Sequence, residues 1–166
     1  MAQECAGILV DEEFGADILR DAIKNGSVTA LSTEKSGSDE FEFEYGTGFV
    51  EHIEAFHPTF AKVLMRYNPE GDAALNRRQT LRLKELSDDC PASGPRFMIE
   101  LLVPAPPGQM ERVHGDKVSY DLQVRPGLML LTLRTLQKAG TEPDSRQTEG
   151  HDGGDRVGAM CAPPAR

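Results

Sequence analysis

The chain has 166 residues, with 27 Asp and Glu against 18 Lys and Arg and a formal net charge of −9. That length suffices for one domain with its own core, and the acidity argues against nucleic-acid binding, which needs a basic surface. No run approaches the ~18 apolar residues of a membrane span. Residues 1–5 lack the segments of a signal peptide, so a cytoplasmic location is expected.

Residues 6–11 read as a first buried strand. Residues 12–15 then turn the chain into a helix over 16–25, where Ile18, Leu19, Ala22 and Ile23 form an apolar stripe and Gly26 supplies a C-cap. A second strand is expected over 28–34, ending at Lys35-Ser36-Gly37. Residues 38–45 alternate Phe41, Phe43 and Tyr45 with acids, which suits either a half-exposed strand or a loop over a sheet end. Thr47 is placed to cap a helix over 47–56, whose His52 and His57 are expected to be solvated.

Residues 60–67 and 95–103 are short apolar runs bounded by turn residues, each carrying a charge where a hydrophobe belongs. They read as strands buried on both faces. Alternation places Lys62, Leu64 and Arg66 on one face of the first, and Arg96, Met98, Glu100 and Leu102 on one face of the second. A lone charge in such a strand is costly unless paired or used, so a Lys62–Glu100 ion pair is expected.

Between these runs, Asn68-Pro69-Glu70-Gly71 is a turn and Asp72 caps a helix over 72–87 with Leu75, Leu83 and Leu86 inward. Residues 90–94 read as a loop. Residues 104–108 form a rigid exit, 109–121 a loop or short helix, and 124–138 a helix with Pro126 in its first turn. Residues 143–150 stand where a fifth strand is due, yet are polar throughout. Residues 151–166 are rich in Gly, Ala and Pro and read as a disordered tail.

Strand and helix alternate four times, the signature of an α/β parallel sheet with helical crossovers. No Gly-x-Gly-x-x-Gly follows the first strand, against a dinucleotide fold. Cys5, Cys90 and Cys161 read as free thiols. His52, His57, His114 and His151 show no ligand spacing, so neither a metal nor another cofactor is expected. Asp11, Glu34, Lys35, Arg66 and Glu100 stand at or near strand C-termini, as active-site residues of a (β/α) barrel do. Plainer readings stand beside this: Asp11 as a helix-turn residue, Lys35 as surface, Glu100 as a structural buried acid.

Five stretches together resemble one family: residues 8–15 (ILVDEEFG), 34–37 (EKSG), 62–72 (KVLMRYNPEGD), 97–103 (FMIELLV) and 125–128 (RPGL). They look like the class I tagatose-1,6-bisphosphate aldolase group, nearest the aldolase-like domain fused to 5-dehydro-2-deoxygluconokinase of inositol catabolism. The resemblance implies an aldolase-type (β/α)8 TIM barrel, present as its second to fifth strands and the approach to the sixth within residues 1–150. A full barrel takes ~250 residues. It implies retro-aldol cleavage of a phosphorylated ketose through a lysine Schiff base, with Glu100 as acid/base, Lys62 placing the substrate, and Asp11, Lys35 and Arg66 near it. The Schiff-base lysine belongs to a Trp-Lys-Ile-Glu-Gly-like motif, which here reads Arg146-Gln147-Thr148-Glu149-Gly150, so Gln147 stands at the lysine position. An amide forms no imine. The chain is therefore expected to be inactive or incomplete as an aldolase. The alternative is a non-catalytic interaction module, or a truncated reading frame without selected activity. Open strand edges are expected to favour self-association.

Overall fold

The computed structural model describes residues 7–148. Their elements are β1 (Gly7–Val10), α1 (Glu12–Lys24), β2 (Val28–Ser32), α2 (Phe49–Phe56), β3 (Phe60–Arg66), α3 (Ala73–Ser93) and β4 (Arg96–Leu102). These are followed by α4 (Pro107–Arg112), α5 (Lys117–Ser119), α6 (Arg125–Lys138) and β5 (Ser145–Thr148). The strands form one sheet in the order β1-β2-β3-β4-β5, and every pairing is parallel. Right-handed crossovers in a sheet whose order never reverses place all connecting helices on one face. The protein is therefore α/β and singly wound, an arrangement compatible with a sector of a barrel.

The main core lies on the helix-covered face. Ala61, Val63 and Met65 of β3 and Phe97, Ile99 and Leu101 of β4 pack with Ile53, Leu83, Leu86, Cys90 and Leu136. The opposite face carries Lys62, Leu64 and Arg66 beside Met98, Glu100 and Leu102. The expectation that both strands are buried on both faces holds only for the first half of β3. On the open face Leu64 and every β4 residue are half-buried, and Arg66 is exposed. No described element lies over that side, whereas most parallel sheets are covered twice.

Local chemistry sets the element boundaries. A first helical turn, capped by the Asp11 carboxylate, which accepts the Glu13 N–H at 2.9 Å, precedes the expected helix, and Gly15, with φ −132° and ψ 19°, kinks the backbone between the two. Gly15 lies within α1, where a Cβ would stand 2.2 Å from Val10 Cγ1, so only glycine lets the helix settle on β1. Thr47 caps nothing: a 3₁₀ turn over Gly46–Gly48 leads into α2 without a side-chain cap. Phe43 stacks on Phe49 at 3.8 Å and holds that entry instead. Residues 38–45 form a loop tucked under the helices, with Phe41 and Phe43 buried and a single bridge from Phe43 to Glu34.

α3 continues through the expected loop at 90–94, with Pro91 in its last turn. Ser93 Oγ donates to the Asp89 carbonyl at 2.9 Å and Gly94 N–H closes on the Cys90 carbonyl. α4, α5 and a π-helical turn over Tyr120–Val124 occupy the stretch before α6. The polar residues after Gly140 do form a fifth strand, contrary to expectation. Asp144 anchors it, donating its N–H to the Phe97 carbonyl at 2.9 Å and accepting the Phe97 N–H on its carboxylate at 2.8 Å. β5 is an edge strand whose side chains are largely exposed, so main-chain pairing suffices and apolarity is not required. The expected tail at 151–166 lies outside the described residues.

Candidate active site at the strand C-termini

Lys62 is the buried charge of the sheet, only 4% exposed. Its Nζ lies 2.9 Å from Glu34 Oε1 and 2.9 Å from Glu100 Oε2. Strand geometry explains the arrangement. Ser32 pairs with Lys62, and Leu64 pairs with Glu100, so Glu34, two residues past Ser32, and Glu100 flank the next level of β3. Lys62 reaches along its strand and donates to both. Thr33 clips β2 to β3 here, its N–H and hydroxyl both donating to the Lys62 carbonyl at 2.9 and 3.0 Å. The triad holds two carboxylates against one ammonium. Glu34 Oε2 is buried and has no hydrogen-bond partner among the described residues.

The other sequence-derived residues surround this triad at varying distance. Gln147 pairs with Glu100 in the β4–β5 register, so the two side chains share the open face, and Gln147 is exposed. Lys35 and Arg66 are exposed and line a cleft of about 190 Å³ with Glu34, Gly37, Ser38 and Leu64. Arg66 donates to the Ser38 carbonyl at 3.3 Å. Asp11, besides capping α1, lines a second cleft of about 200 Å³ with Ser32, Glu34 and Tyr45. Glu149 and Gly150 lie outside the described residues.

Two features escaped sequence reading. Glu34 is the second partner of Lys62; its signal was a charge closing an apolar run, which any strand end also shows. His52 is not solvated. It is half-buried, in contact with the Glu12 carboxylate, and stacked beneath Tyr45 at 3.8 Å, while the Tyr45 hydroxyl donates to Glu12. This cluster ties α1 to α2 and the loop before it, beside the second cleft.

The walls are built by side chains that answer buried backbone. Gln79, fully buried on α3, accepts the Phe41 N–H at 2.8 Å and donates to the Arg66 carbonyl at 3.0 Å. Glu40 receives two hydrogen bonds from Arg78, at 2.9 and 2.7 Å, and another from Arg82. These guanidinium bonds, Arg78 first, hold its carboxyl down at about 2. Asn68 joins the exits of β3 and β4, donating to the Pro104 carbonyl and Gln109 Oε1 at 2.8 Å each.

Among the described residues no three His, Cys, Asp or Glu side chains converge to hold a metal ion, and no helix is long and apolar enough to cross a membrane. No curated protein matches the chain. A bacterial family does match, over residues 1–141, with both flanks of the ion triad inside the matched span. The chain belongs to that family, described as uncharacterized protein conserved in bacteria (DUF2090).

Proposed function

We propose that the chain is a carbohydrate-metabolism domain of the class I aldolase type whose site, as it stands, does not carry out the imine step. The observation that carries this reading is the Glu34–Lys62–Glu100 triad opening onto the uncovered sheet face, with Gln147 beside Glu100. In a Schiff-base aldolase a primary amine attacks the ketose carbonyl and expels water to form an iminium. A carboxylate then removes the proton of the hydroxyl beyond the scissile bond. That C–C bond breaks and its electron pair moves onto the iminium as an enamine. Glu100, whose side chain keeps partial exposure, is the carboxylate in this scheme.

The nucleophile is what is lacking. The Gln147 amide lone pair is delocalised into its carbonyl and forms no imine. Lys62 is engaged as a donor to two carboxylates, so its nitrogen is not presented to a carbonyl. A lysine restored by Gln147→Lys would stand exposed on an edge strand, without the burial that lowers an amine pKa. The non-catalytic alternative draws on the same Gln147 and on the two sheet edges, β1 and β5, that pair on one side only among the described residues.

Borohydride trapping with phosphorylated ketoses tests the proposal, followed by mass spectrometry of peptides containing Lys35, Lys62 and position 147. No adduct and no released triose phosphate are expected from the unmodified chain or from Gln147→Lys. The same sugars should raise the melting temperature of the unmodified chain and leave that of Lys62→Met unchanged. A substrate-dependent adduct on Lys62 with triose phosphate release would make the chain a working aldolase. No thermal shift with any sugar phosphate would favour the interaction module.

A further inference from the structure

The small cleft between the end of β3 and the loop after β2 holds positive charge that no neighbour uses. Four ionisable side chains line it: Glu34, Lys35, Glu40 and Arg66. Both carboxylates are already answered by cations from outside the lining. Glu34 accepts from Lys62 at 2.9 Å, and Glu40 takes the guanidinium bonds of Arg78 and Arg82. Lys35 and Arg66 have no acidic partner among the described residues. In a chain of net charge −9, two unmatched cations on one concave spot are the reverse of the general balance, and they favour a ligand of negative charge.

The backbone places these groups on the same rim. Strand alternation brings Arg66 to the open sheet face with Lys62 and Leu64. There it donates to the Ser38 carbonyl at 3.3 Å, and the remaining donors of its fork stay free for a ligand. Lys35 opens the turn over 35–38, in which Gly37 takes φ +77°, a conformation that suits glycine at the third position of such a turn. Ser36 and Ser38 add their hydroxyls, which make no hydrogen bond among the described residues. The cleft encloses about 190 Å³, below the ~300 Å³ at which pockets begin to hold a whole ligand. It therefore takes one group of a molecule, and the remainder extends over the open face. Leu64 lines the cleft and pairs with Glu100 in the β3–β4 register, so that remainder runs towards Glu100.

We propose that this cleft is an anion subsite for the phosphate of a phosphorylated small molecule, with Arg66 and Lys35 as its two cations and Ser36 and Ser38 as further donors. Two unmatched cations suit a dianion, and a planar guanidinium can give two parallel bonds to one phosphate. That the molecule beyond the phosphate is a ketose rests on the aldolase reading above; the anion subsite is tested without any sugar.

The test is an NMR titration of the full chain with inorganic phosphate, repeated on Lys35→Met, Arg66→Met and the control Lys138→Met at the end of α6. All three side chains are exposed, so the variants should keep the fold. Phosphate should shift the amides of Ser36, Gly37 and Ser38 saturably. Its affinity should fall roughly tenfold or more in Lys35→Met and in Arg66→Met, and stay unchanged in Lys138→Met. Acetate, a monoanion, should bind more weakly than phosphate. No saturable shift at these amides, either cleft variant binding phosphate as well as the unmodified chain, an equal loss in Lys138→Met, or acetate binding as tightly as phosphate would each overturn the inference. Fructose 6-phosphate separates the two proposals. If it binds no tighter than inorganic phosphate, the subsite stands and the ketose reading fails. If it binds the two cleft variants as well as the unmodified chain, the subsite falls and the ketose reading stands.

Discussion

Lys62→Ala strands Glu34 and Glu100 facing each other with no cation between them. Breaking a buried pair by removing one partner costs ~3–5 kcal/mol. Both carboxylates keep some contact with water, so about 2–3 kcal/mol is expected, read by urea unfolding at pH 7. Glu100→Gln should cost less, since Lys62 retains Glu34. Cys90 offers a second measurement at this scale. Burial, reinforced by Asp144 and Asp89, pushes its thiol up to about 12. Iodoacetamide at pH 8 should therefore alkylate Cys90 only as fast as the protein unfolds; rapid alkylation of the folded chain would contradict this packing. The raised pKa also means that the thiol's contribution is intact below pH ~9 and lost as pH rises towards 12. The Lys62–Glu100 pair was legible in the sequence because strand alternation puts same-face charges of neighbouring strands within reach. Glu12 and His52 were not, since nothing in an amphipathic helix pattern points to a carboxylate forty residues earlier.

At the scale of elements, the loop between β2 and α2 is held to α3 by Glu40. Its carboxyl sits at about 2, below an ordinary 4.5, because Arg78 and Arg82 bond the ionised form. A depressed acid contributes stability above its unfolded pKa and loses it as pH falls, here between about 4.5 and 2. Stability measured by urea across that interval should therefore fall less steeply for Glu40→Gln than for the unmodified chain. Gly15→Ala should separate α1 from β1, because the added methyl would meet Val10; a loss of ~1–3 kcal/mol is expected from overpacking, checked by thermal unfolding. Most elements could be read from periodicity. β5 could not, because an edge strand gains its place from backbone pairing to β4 and from Asp144, neither of which leaves an apolar pattern. The end of α3 was hidden for the opposite reason: Pro91 signals a break in sequence but is tolerated where the final turn is closed by Ser93 and Gly94.

Across the whole molecule, burial falls from the centre of the sheet to its edges: β3 is largely enclosed and β1 and β5 largely exposed. Amide hydrogen exchange should follow that gradient, slowest in β3 and β4 and fastest in β1 and β5, at concentrations where the chain is monomeric. Uniform protection across the five strands would contradict it. The unbroken strand order has one more consequence. Among the described residues every strand pairs only with its immediate neighbours in chain order, and no pairing waits for a partner made much later. The sheet is thus able to assemble vectorially as the polypeptide leaves the ribosome, each new βα unit settling on a completed template, whereas a sheet that joins its first strand to its last stays unfinished until synthesis ends.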